Sequence, residues 1–373
     1  MKWIDRQETF DDAMARLAAA PQIAVDTEAD SLHSYFDKVC LIQISVPDED
    51  FVIDPLVRIE LARFGELLAD ASITKVLHGG DYDLRIMNRD FGFVVHNLID
   101  TSVCAQLLGY EAIGLAALLD RHFGVKLNKT HQRADWSMRP LPQDMLEYAS
   151  TDTHYLIALA AKMREELEAL GRWEWAVEEF SRMENIRYRE VSEEDAEPWR
   201  KLKNIGGLDR RTLAIVRGMY EWRDALARKA DRPPFKILGN DSLVEIAKAK
   251  PETQRDLTKI AAVSRYHADR YGREILGIVR QAMAIPENEL PEKNEPKPWI
   301  RDKALENRIN RLKNVRDKYA KELKIDPSVL GARHILAAVA TAGTLDVPNM
   351  REWQKRVMGQ ALLDALQPER KLF

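Results

Sequence analysis

The stretch Ile23-Ala24-Val25-Asp26-Thr27-Glu28-Ala29-Asp30 decides how the chain is read. Its start alternates apolar and small residues with β-branched content, the pattern of a strand whose side chains leave from two faces in turn. Asp26 and Glu28 are two apart, so both carboxylates leave one face while Ile23 and Val25 point into a core. Two acids on one rigid face repel each other, and the pair is tolerated when a cation sits between them. Oxygen-only donors favour a hard divalent ion such as magnesium or manganese. An isolated Asp-x-Glu is more often a pair of solvated acids on an edge strand, so the reading depends on the rest of the chain.

Working outward, residues 4–20 predict a helix or a strand-helix lead-in. Residues 39–46 and 51–55 predict two more strands, joined to the first as an antiparallel meander by short links. A helix over 61–68, a strand over 73–77 and a helix from Leu84 follow. Between the last two lies His78-Gly79-Gly80-Asp81-Tyr82-Asp83, which puts Asp83 at a helix start, where its charge is favoured whether or not it is catalytic. Further strand segments are expected at 93–95 and 98–99, then helices over 100–108, 115–123 and 143–170. Strands followed by helices in this order imply a mixed α/β domain. Within the last helix Tyr148 and Asp152 are four apart and share a face. The basic segment 126–140 carries Lys129, Arg133 and Trp136, residue types that hold phosphates and stack a base, although Trp136 serves equally as a loop anchor.

The length of 373 residues allows two or three domains, and 45% hydrophobic with 31% charged residues is an ordinary globular composition. No apolar run approaches the ~20 residues that span a bilayer and the N-terminus lacks a secretory pattern, so a cytoplasmic protein without a membrane partner is expected. Cys40 and Cys104, each in an apolar context, are read as buried thiols. The net charge of −4 hides an asymmetry: residues 1–180 carry 17 Lys and Arg against 31 Asp and Glu, whereas residues 181–373 carry 39 against 29. An acidic half able to host cations joined to a basic half able to hold a polyanion points to nucleic acid. Charged and proline-rich stretches place linkers at 181–199 and 286–298, with helical periodicity over 200–285 and 299–373.

Taken together, Asp26-Thr27-Glu28, His78 with Asp83, and Tyr148-x-x-x-Asp152 resemble the three exonuclease motifs of the DEDD superfamily in its tyrosine-bearing subclass. Leu41-Ile42-Gln43-Ile44, and Arg133-Ala134-Asp135-Trp136 through Arg139-Pro140-Leu141, resemble the ribonuclease D family in particular. Ala227-Arg228, Arg232-Pro233-Pro234, Ile237-Leu238 and Leu243 to Ala247 resemble the HRDC helical domain that follows the nuclease in that family, and the last segment resembles a more divergent second copy. The resemblance implies an α/β RNase H-like exonuclease domain over 1–180, a mixed sheet flanked by helices, followed by two all-α HRDC-like domains over 200–285 and 299–373. It implies that Asp26, Glu28, Asp83 and Asp152 hold two divalent ions, Mg2+ or Mn2+, roughly 4 Å apart. Tyr148 assists the attacking water, an unperturbed phenol being too weak an acid to serve as a strong base. Thr27, His78, Lys129, Arg133 and Trp136 are the expected substrate contacts. The expected activity is 3′-to-5′ hydrolysis of RNA, trimming the 3′ ends of transfer-RNA precursors and other structured RNA by a monomer. Open alternatives are a 3′-to-5′ DNA exonuclease and a catalytically silent RNA-binding scaffold.

Overall fold

The computed structural model describes residues 1–127, 130–189, 197–293 and 302–367. These fall into two compact units, one of Met1–Ala29, Lys38–Tyr188 and Arg301–Phe373, the other of Asp30–Asp37 and Arg189–Ile300. The first unit opens with β1 (Lys2–Ile4) and α1 (Gln7–Ala18), whose Phe10, Met14 and Leu17 are buried at helical spacing. β2 (Gln22–Ala29), β3 (Val39–Val46) and β4 (Glu49–Ile53) form the expected antiparallel meander. Next come α2 (Ala62–Ala69), β5 (Thr74–Leu77), α3 (Asp81–Phe91) and β6 (Leu98–Asp100). The strand order is β1-β4-β3-β2-β5-β6, with β1 parallel to β4 and β5 parallel to both β2 and β6. Parallel neighbours need long crossovers, and the helices supply them, giving a mixed sheet flanked by helices. β3 is buried at every residue because both its faces are covered, which explains why Val39-Cys40-Leu41-Ile42 reads as apolar without alternation.

The unit continues through α4 (Thr101–Leu108), α5 (Leu115–Phe123), α6 (Gln143–His154), α7 (Leu156–Ala169) and α8 (Trp173–Met183). Two expectations change here. The single helix over 143–170 is two helices meeting at Tyr155. α6 is tied to the sheet by Thr153 on Ser45 and His154 on Asp50, while α7 packs chiefly on α4, so one straight axis would not serve both. The segment 93–95 is not a strand. Gly92 ends α3 in the left-handed conformation and Phe93 turns in against Phe64, with ring centroids 5.8 Å apart, so its apolar character serves packing instead of pairing.

The second unit is helical: α9 (Arg210–Lys229), α10 (Pro234–Ile237), α11 (Asn240–Ala249), α12 (Gln254–Thr258) and α13 (Arg265–Ala284). Its own core is built on Val216, Met219, Leu243, Ile246 and Ile275. Buried Arg223 donates to the Leu238 carbonyl and to Asn240, fastening the Pro233-Pro234 turn to α9.

The final helices, α14 (Lys303–Leu323), α15 (Pro327–Leu330), α16 (Arg333–Ala342) and α17 (Glu352–Leu366), do not stand apart as the expected boundary at 299 implied. Their core residues are continuous with those of the sheet domain. Glu178 accepts the backbone N–H groups of Glu352 and Trp353, Glu179 accepts the Trp353 indole and pairs with Arg351, and Trp175 stacks on Trp353 at 4.8 Å. Arg172 donates to the carbonyls of Leu107 and Leu323, so one guanidinium closes the C-terminal ends of α4 and α14 together. Periodicity locates helices, but it does not say which neighbour their apolar stripe meets.

Gly109 marks how close that junction is. It ends α4 at φ +78°, and a Cβ there would lie 1.9 Å from the Lys324 carbonyl oxygen. Gly109→Ala combines a left-handed backbone with a backbone clash and is expected to cost about 2 kcal/mol or more in urea unfolding. A loss under about 0.5 kcal/mol, within the range of an unremarkable surface change, would mean that the two helix ends do not meet in this way.

Candidate active site

Three elements bring the acids together. β2 carries Asp26 and Glu28 on one face, α3 presents Asp83 in its first turn, and α6 presents Tyr148 and Asp152 one turn apart. With Thr27 and His78 they line one cleft of about 530 Å³, whose other walls include Tyr82, Leu115, Leu127 and Gln132. No lysine or arginine lines it among the described residues. The Thr27 hydroxyl donates to Asp83 Oδ1, joining the strand to the helix start. Tyr148 and Asp152, one turn apart on α6, interact through hydroxyl and carboxyl. His78 shares a hydrogen bond with Thr101 at 2.9 Å, beside buried Asp100, which accepts from the backbone of Gly80, Ser102 and Val103.

Unneutralised acids in a cleft of this kind bind protons more tightly than free carboxyls do. Burial, and then the charges of Asp152 and Asp83, push Glu28 up to about 9. Burial takes Asp152 to about 7, and it takes Asp83 to about 6 against the opposing bond from Thr27. Asp26 is raised well above the usual carboxylate range by burial and by its three acidic neighbours. Burial, then the charge of Asp152, raises the Tyr148 phenol above its ordinary value.

The donor set fits a hard divalent cation in kind: carboxylate oxygens from three elements, burial, and, among the described residues, no lysine or arginine in the lining. Among the described residues, no three acidic, histidine or cysteine side chains are already close enough to hold an ion by themselves. An ion would have to draw the groups inward.

The proton affinities also fix the sign of a pH effect. Carboxyls with folded-state values of about 6, 7 and 9, against roughly 4 when unfolded, bind more protons in the folded state. Their contribution to stability is fully present below pH ~4 and is lost as pH rises through 6 to 9. Added Mn2+ is therefore expected to raise the melting temperature more at pH 8 than at pH 6, with saturation at 100 times Kd contributing about 2.7 kcal/mol. Thermal melts with and without chelator check this, and equal shifts at both pH values would contradict it.

The remaining expected contacts fare differently. Thr27 lines the cleft, but its hydroxyl is engaged by Asp83. Arg133 is exposed on the loop and does not line the cleft, and Lys129 lies outside the described residues. Trp136 is a correction: it is 1% exposed, packs with Cys40, Val52 and Met145, and lies 6.0 Å from the Tyr148 ring. It cannot stack a base there, and it supports the tyrosine from behind. Arg139 likewise serves the loop, since it forms a bidentate pair with Asp54 and donates to the carbonyls of Cys40, Trp136 and Met138. Asp81 is exposed and pairs with Arg85, away from the acid cluster. Sequence reading missed His131, which meets Tyr148 edge-on at 5.9 Å and pairs with Asp144 at 3.0 Å. A histidine in a basic loop carries no signal of that kind.

Comparison with known proteins agrees with this geometry. The 3′-5′ exonuclease family matches residues 1–168 and the HRDC domain family matches residues 212–279. Ribonuclease D of Gluconacetobacter diazotrophicus is 30% identical over 99% of this chain and 93% of its own length. Ribonuclease D of Escherichia coli K12 is 34% identical over 76% of each chain. The crystal structure of Escherichia coli RNase D, described as an exoribonuclease involved in structured RNA processing, superimposes with a TM-score of 0.71 at 28% identity over 98% of both chains. Membership of this exonuclease family implies dependence on divalent metal and a nucleic-acid substrate. The chain belongs to the ribonuclease D family and is a 3′-to-5′ exoribonuclease.

Proposed function

We propose that the enzyme shortens structured RNA from single-stranded 3′ ends such as those of transfer-RNA precursors, releasing nucleoside 5′-monophosphates, with Asp26, Glu28, Asp83 and Asp152 as ligands of two magnesium or manganese ions. The observation that carries the reading is the convergence of these four carboxylates and Tyr148 on one cleft that, among the described residues, no lysine or arginine lines. Bound there, the ions supply a nucleophilic water and neutralise the charge that develops on the phosphate. The chain's own part is to hold donors still. Asp26 and Glu28 ride on a sheet strand, Thr27 restrains Asp83, and Tyr148 and Asp152 are fixed by one helical turn. Tyr148, beside Asp152 at the cleft and with its phenol raised by burial, orients the water through its hydroxyl. His78, at the cleft, is the candidate contact to the terminal nucleotide. The excess of Lys and Arg over residues 181–373 supports retention of longer RNA, and the part of the Escherichia coli relative in structured RNA processing points the same way.

The test is parallel digestion of a stem-loop RNA with a single-stranded 3′ tail and its matched DNA, with products separated by chromatography. The tail of the RNA should shorten stepwise to 5′-monophosphates. Equal rates on DNA would overturn the RNA assignment, and 3′-monophosphate products would overturn the hydrolytic geometry.

A further inference from the structure

Gln43 is a polar side chain in the middle of a buried strand. It is 0% exposed, and among the described residues neither its Nε2 nor its Oε1 has a hydrogen-bonding partner. Polar groups buried in this way cost stability, and an apolar side chain of similar volume would fill the place without that cost. The rest of β3 is apolar or small apart from Ser45, so the amide is the exception in its strand.

Its position is specific. In the antiparallel register Gln43 stands directly opposite Asp26, so the two side chains leave the same face of the sheet, the face on which α6 packs. Directly opposed residues have Cβ atoms about 4.5–5.5 Å apart, within reach of a glutamine amide. Ser45, two residues along the same face, shows how this layer treats a polar group with a structural task. Its hydroxyl donates to Asp50 at 2.7 Å and accepts from Thr153 at 2.6 Å. Gln43 has no such partners, and the ionisable side chain opposite it is Asp26.

We infer that Gln43 is a positioning residue for Asp26: when the carboxylate turns to hold a cation, the Gln43 amide N–H donates to its remaining oxygen and fixes the liganding rotamer. Groups that hydrogen-bond a metal ligand set its orientation and basicity, and their loss typically lowers metal affinity 10–100-fold. The inference rests on the reading of Asp26 as a ligand.

The experiment compares wild type, Gln43→Leu and Gln43→Met in three measurements: melting of the metal-free protein, Mn2+ binding by calorimetry without RNA, and single-turnover cleavage across a Mn2+ series. The metal-free variants should melt at or above wild type, because an unbonded amide is removed. Their Mn2+ affinity should fall 10–100-fold, and their lost cleavage should return in part at high Mn2+. Unchanged Mn2+ affinity in a variant, whatever its melting temperature, would overturn the inference and leave Gln43 a packing residue. Wild type that binds no Mn2+ would overturn the ligand reading itself, and the two failures are thereby told apart.

Discussion

Asp152→Asn and Asp26→Asn should each lower single-turnover cleavage at saturating Mg2+ by about 10³-fold or more. Each change keeps the size of the side chain and removes one charge from a set that exists to hold positive charge where the phosphate reacts. Losing one electrostatic contact to a developing charge already costs about 10²–10³, and a lost ligand also misplaces the ion's other partners. The fold should not suffer. Both acids are strained upward in the metal-free state by burial, and Asp26 also by its neighbours, so an amide relieves repulsion, and the metal-free melting temperature should hold or rise. Loss of activity with a raised or equal melting temperature separates a chemical role from a structural one. Wild-type rates at saturating Mg2+ would remove the residue from the site.

Tyr148→Phe should lower the single-turnover rate by about 10²-fold while leaving RNA affinity nearly unchanged, the pattern of a group used in the reaction and not in binding. The ring would stay in place, because Trp136 supports it at 6.0 Å and His131 meets it edge-on at 5.9 Å, so only the hydroxyl is lost. An unchanged rate in the variant would reduce Tyr148 to a packing residue.

The acids were legible because regular elements impose fixed spacings. Residues two apart on β2 and four apart on α6 must share a face, so Asp26 with Glu28 and Tyr148 with Asp152 could be paired without coordinates. Asp83 was legible from a glycine-rich turn ahead of an apolar helix. What stayed hidden depends on which surfaces meet. Nothing local in Trp136 distinguishes a buried support from an exposed platform, and nothing in α14 to α17 announces that Trp353 stacks on Trp175 and that Glu178 caps α17. The break at Tyr155 was hidden for the same reason, since the pattern 143–170 is helical throughout and only the separate anchoring of α6 and α7 divides it.

That these carboxylates form a metal-dependent site acting from the 3′ end is the step on which the rest depends. It is tested most directly by following a 5′-labelled single-stranded RNA under single-turnover conditions as Mg2+ is titrated into chelator-treated enzyme. A ladder of fragments shortened one nucleotide at a time is expected, absent without metal and absent when the RNA 3′ end is blocked. Internal fragments, or a ladder that persists in chelator, would contradict it.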